Sequence, residues 1–184
     1  MDAAYQALVR IFGVWLWGLA AFHKLREPKE FLRIFAAYEI PVPRLHGVLL
    51  ALLVVAESTL ALAFGVWPNI ALPAWGSVIL LCVYAGVLVR EIRAGRTDHA
   101  CGCGAPARHG GSIGWGLVVR NAMLAVLFAS ATVTPLPREW TWLDTVTVLA
   151  GSAAAMLLYL AIDALASAPR VRRPEHEGNF SRPD

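Results

Sequence analysis

The chain has 184 residues, 58% of them apolar and only 16% charged, with a mean hydropathy of +0.57. An ordinary soluble domain is roughly half apolar and about a quarter charged, so the balance excludes that class and points to a bilayer as the solvent. The net charge of +3 invites a nucleic-acid reading, but the basic residues gather at the ends of the apolar runs instead of along one face, and membrane topology explains them better.

A bilayer core takes about 20 helical residues, and the sequence predicts five such spans in one membrane domain over residues 1–168. The first runs over 5–24 and closes at His23-Lys24-Leu25-Arg26. The opening Met1-Asp2-Ala3-Ala4 lacks the basic leader and cleavage site of a signal peptide, so this run is expected as a retained span. Between Pro28 and Pro43, Phe31, Phe35 and Tyr38 recur at helical spacing among Lys29, Arg33 and Glu39, which predicts a short helix lying in the interface. The second span, 45–66, carries Glu57 well inside it and ends at a tight hairpin over Trp67-Pro68-Asn69. The third, 70–89, has Cys82 near its middle.

A polar, glycine-rich stretch follows, Asp98 to Gly111, holding His99, Cys101, Gly102, Cys103 and His109. Ser112 is placed to cap the fourth span, 113–133, which contains Arg120 and Asn121. The fifth, 143–166, includes the small-residue segment Gly151-Ser152-Ala153-Ala154-Ala155, suited to close helix approach. From 169 to 184 the chain is polar, arginine-rich and broken by prolines, and is expected as a flexible tail.

Five spans put the first connection, the cysteine loop and the C-terminus on one side. That side carries Lys24, Arg26, Lys29, Arg33, Arg44, Arg90, Arg93, Arg96 and Arg108, whereas the connections opposite carry only Arg138. The positive-inside rule then makes the loop and C-terminus cytoplasmic, with the N-terminus outside the inner membrane and Trp67, Trp140 and Trp142 at the outer interface.

The loop holds the richest chemistry. A Cys-x-Cys spacing keeps two sulfurs close, and closing them makes a small strained ring of the easily reduced kind. Gly102 supplies the backbone freedom such a ring needs, and Arg96, Arg108 and a helix N-terminus would favour the thiolate. Cys101 and Cys103 therefore read first as a redox dithiol. The same stretch offers a second reading, with His99, Cys101, Cys103 and His109 as ligands for zinc or a softer ion, although one intervening residue is short for a structural zinc site. A third reading leaves the cysteines incidental in a non-catalytic assembly subunit.

Glu57 and Arg120 are the most deeply embedded charges, and such groups usually pair and face the bundle interior. They are expected to meet, because Glu57 lies only somewhat deeper and the arginine side chain is long. Asn121 is expected to hydrogen-bond across helices, His23 and Lys24 to snorkel at the interface, and Cys82 to be a small core residue. Apolar helices around Glu57 and Arg120 would suit a quinone as electron carrier.

Taken together, Phe22-His23-Lys24-Leu25, Phe31 through Tyr38, Pro41, Glu57, Cys101-Gly102-Cys103-Gly104 and Val119-Arg120-Asn121-Ala122 resemble the methylamine utilisation protein MauE family, grouped with DoxX-like membrane proteins. The resemblance covers the first four spans, and its most specific part is the Cys-Gly-Cys loop followed by Arg-Asn; the continuation Ala105-Pro106 departs from the family's usual pattern. It implies an all-α integral membrane protein, a four-helix redox bundle with the fifth span packed against it. The implied activity is that of a thiol-disulfide oxidoreductase supporting disulfide formation or cofactor maturation in an exported enzyme, helped by a thioredoxin-like partner. An exported substrate lies outside whereas the charges put the loop inside, so the direction of electron flow is open.

Overall fold

The computed structural model describes residues 2–38, 42–67, 69–97, 113–133 and 139–166. Among these the chain is all helical: α1 (Ala3–Arg26), α2 (Pro28–Ala37), α3 (Pro43–Val66), α4 (Ala71–Arg93), α5 (Trp115–Ser130) and α6 (Trp142–Ala166). Four of them, α1, α3, α4 and α6, are long and apolar enough to cross a membrane. At 16 residues α5 is shorter, about 24 Å at the usual rise. The outer surface is apolar, with Leu62 68% and Val126 69% exposed, while Lys24, Glu57, Glu91, Arg120 and Asp163 are buried. Charges inside and hydrocarbon outside is the arrangement of a helical bundle solvated by lipid.

Local chemistry sets the helix ends. The Asp2 carboxylate accepts from the Ala4 amide at 2.9 Å to start α1, and His23, Lys24 and Arg26 complement the dipole in its last turn. Asn69 Oδ1 accepts from the Ala71 amide at 2.8 Å and starts α4 immediately after α3. Arg10, which the charge count along the sequence passed over, donates to the carbonyls of Phe64 (3.1 Å) and Trp67 (2.6 Å), satisfying the end of α3.

The fourth apolar run becomes a shorter helix than expected. Gly114, extended at φ −152° and ψ 168°, is the N-cap in place of Ser112, and the Ile113 amide ahead of the helix pairs with the Thr97 carbonyl. At the other end Gln6 Nε2 donates to the carbonyls of Ala131 and Val133, both at 3.0 Å, and Tyr5 and Ser130 share a hydroxyl hydrogen bond of 2.5 Å. These side chains replace the helical bonds that residues 131–133 would have made.

The central element is α1, packed along α3 and α6, while α4 lies along α5. One apolar core joins Phe12, Trp17, Phe64, Leu81, Phe128 and Tyr159. Trp17 Nε1 donates to Ser77 Oγ at 2.8 Å, and that hydroxyl donates in turn to the Pro73 carbonyl at 2.8 Å, so the buried indole is satisfied across α1 and α4. A second core of Phe31, Ile34, Tyr38, Leu88, Ile113 and Leu117 fastens α2 to the end of the bundle where the cysteine loop begins and ends.

α1 and α3 approach closely at Gly13. A Cβ there would stand 2.7–2.9 Å from three atoms of the Phe64 ring, which is fully buried and packed on Phe128 with centroids 5.3 Å apart. The ring has nowhere to go, so Gly13→Ala is expected to cost about 1–3 kcal/mol, read as a lowered melting temperature in detergent.

Candidate functional site

The site is built at the end of the bundle shared by the C-termini of α1, α4 and α6 and the N-termini of α3 and α5. α4 closes in a Schellman turn: Gly95 takes φ +72°, its amide donates to the Ile92 carbonyl at 3.1 Å, and the Arg96 amide reaches the Glu91 carbonyl at 3.0 Å. The Arg96 side chain then folds back on the fully buried Glu91 carboxylate, with Nε at 2.7 Å and Nη2 at 2.9 Å, a bidentate pair. Tyr38, at the end of α2, is buried nearby; burial pushes its phenol well above the ordinary value, and the Glu91 charge adds to the rise.

Immediately beyond this turn the Ile113 amide donates to the Thr97 carbonyl at 2.9 Å, with Ile113 completely buried. The two feet of the cysteine loop are thus clasped together. Cys101, Cys103, His99 and His109 fall outside the described residues, and with them both the dithiol and the alternative metal set; so does the tail expected from 169. Among the described residues no three His, Cys, Asp or Glu side chains gather to hold a metal.

Below the clasp lie two buried ionic clusters, and their membership corrects the expected Glu57–Arg120 pair. Glu57 Oε1 accepts from Lys24 Nζ at 2.8 Å and from the Tyr84 hydroxyl at 2.6 Å. Arg120 pairs with Asp163 on α6 and donates to Asn121 Oδ1 at 3.2 Å. Lys24 does not snorkel: α2 folds back across it, placing the Phe31 ring 5.1 Å from Nζ and leaving the side chain 1% exposed. The bond found for Asn121 is to its neighbour on the same helix instead of one across helices, and its Nδ2 has no hydrogen-bond partner among the described residues. The same holds for Glu57 Oε2. Cys82 is a free, exposed thiol on the outer face of α4, not a core residue, because in a bilayer the outward positions are the apolar ones.

Three members of these clusters were missed from sequence. Asp163 was the signal available, an acid inside an otherwise apolar run, and Arg120 inside another run called for it. Lys24 looked like a helix end facing water, and nothing local marks Tyr84 out from other aromatic residues. Chemically, the arrangement places an ammonium, a carboxylate and a phenol in one chain of hydrogen bonds and a guanidinium–carboxylate pair in another.

Comparison with known proteins agrees with this architecture. The family described as methylamine utilisation protein MauE matches residues 1–136, which take in α1 to α5 and the cysteine loop. The methylamine utilization protein MauE of Paracoccus denitrificans is 32% identical over 160 residues, covering 85% of this chain and 84% of that protein. No solved structure matches the chain. With more than half its length matched by the family and a relative aligned nearly end to end, the chain belongs to the MauE family of membrane proteins.

Proposed function

We propose that the protein is a membrane thiol-disulfide redox protein that supports methylamine utilisation, with Cys101 and Cys103 as its working pair. In each cycle the two thiols lose two electrons and two protons and form one S–S bond; a lipid-soluble quinone takes up both and leaves as quinol. The disulfide then passes by exchange to a dithiol of a redox partner of thioredoxin type or of a maturing enzyme, through a mixed disulfide that the partner's second thiol resolves, and Cys101 and Cys103 return to the thiol form. The observation that carries this reading is the clasp between Thr97 and Ile113, which joins the described residues on either side of the Cys-Gly-Cys segment at the bundle end that holds the buried Glu91–Arg96 and Arg120–Asp163 pairs. Such charges are costly in a membrane and usually serve function. Arg90, Arg93 and Arg96 at this end, and exposed Trp67, Trp140 and Trp142 away from it, support an inner-membrane protein of five spans, with the loop on the cytoplasmic side.

The test is an alkylation-shift gel on the full chain in membranes. Wild type is expected to show a reductant-sensitive species that is absent from Cys101→Ser and from Cys103→Ser, with methylamine-dependent growth lost in both. Thiols that never oxidise, or stoichiometric zinc bound through His99 and His109, would replace the redox reading with the metal one. Growth retained in both serine variants but lost on deletion of the protein would point to an assembly role.

A further inference from the structure

Resting on the redox reading above, we infer that the crevice between α5 and α6 is the binding site for the quinone. A cavity of about 430 Å³ lies there, within the roughly 300–1,000 Å³ typical of small-molecule sites. Its walls come from α5, α6 and Phe12 of α1, and its mouth is edged by Met123, Val126 and Leu158, which are 62%, 69% and 61% exposed. At that position on a membrane bundle the opening faces lipid, so the ligand enters from the hydrocarbon phase.

The crevice is polarised along its length. Arg120 stands at one end and Ser130 at the other, ten helical residues or about 15 Å apart, with almost wholly apolar lining between. Arg120 is paired with Asp163, so that end has no net charge. An anionic phosphate headgroup therefore gains little there, whereas a neutral head with weakly polar carbonyl groups brings no charge to be desolvated beside the Arg120–Asp163 pair. The Tyr159 ring, 5.7 Å from the Arg120 guanidinium carbon and edge-on to Phe12 at 6.2 Å, offers an aromatic wall for a flat ring. A neutral, flat, carbonyl-bearing head on a long apolar tail describes an isoprenoid quinone. The polar end is also the end nearer the clasp, since Arg120 is five residues beyond Trp115, where α5 starts, about 8 Å of helix rise. Head toward the dithiol and tail toward the opposite leaflet is the orientation that electron transfer from the thiols requires.

The experiment uses the full chain in nanodiscs of neutral phospholipid, with decylubiquinone as ligand and an azido-decylubiquinone for photolabelling. About one quinone per chain is expected, with labelled peptides from α5 and α6. Ala155→Phe, which fills the crevice, and Leu158→Trp, which blocks its lipid-facing edge with little demand on the core, are each expected to weaken binding at least tenfold at an unchanged gel-filtration profile. The double variant Cys101→Ser/Cys103→Ser should bind as wild type. Binding unaffected by both crevice variants, labelling elsewhere, or phospholipid held in the crevice against excess quinone overturns the site even if the cysteines cycle. Crevice-dependent binding with cysteines that never oxidise supports the site and removes only the redox reading.

Discussion

Lys24→Met is expected to lower the stability of the bundle by about 3–5 kcal/mol, the usual cost of removing one member of a buried ion pair. Its partner Glu57 is wholly inaccessible, and the ammonium and the Tyr84 hydroxyl both converge on Oε1. Without the ammonium, the carboxylate keeps a single phenolic donor in a medium where a bare charge is expensive. The uncompensated carboxylate then loosens the contact between α1 and α3. The diagnostic partner is the double variant Lys24→Met/Glu57→Leu, expected to regain most of the loss because it leaves no uncompensated charge. Unfolding by SDS titration or heat, followed by intrinsic fluorescence, measures both. A double variant as unstable as Lys24→Met would show that packing of the lysine stem beneath Phe31, and not charge pairing, holds this corner together.

Asp163→Leu is expected to cost about 3 kcal/mol, toward the lower end of the same range. Arg120 would keep the Asn121 amide oxygen at 3.2 Å and the Tyr159 ring among its neighbours, so part of its charge remains compensated. The consequence falls on α6, which packs chiefly on α1 and less on α5. Limited proteolysis between residues 139 and 142 should become faster, and Arg120→Leu/Asp163→Leu should restore the wild-type rate. Interhelical hydrogen bonds alone average nearer 0.6 kcal/mol in membranes, so a loss that small would mean the pair acts as an ordinary polar contact.

Much of this was legible in the sequence, and each failure has its own physical cause. The apolar runs located every long helix to within a few residues, and Glu57 and Arg120 were correctly marked as charges needing company. Depth along a straight helix predicts the wrong partners, because it takes no account of how α2 and α6 fold against the other helices. Lys24 closes α1 and seemed to belong to water, but α2 doubles back over it and turns a terminus into interior. Asp163 sits near the end of α6 and met Arg120 because both are close to the loop end of their helices. The early end of α5 was hidden for another reason: Gln6 and Tyr5, more than a hundred residues away, supply the bonds that stop it. Cys82 shows how burial rules made for water invert in lipid.

The bond between the Ile113 amide and the Thr97 carbonyl has a bearing on how such proteins diversify. By fixing the separation of two strands of chain at the base, it decouples whatever is inserted between them from the register of the helices on either side. Doubling the insert adds only about 0.6 kcal/mol of closure entropy. The segment between residues 97 and 113 can therefore gain or lose residues at little cost to the scaffold on either side.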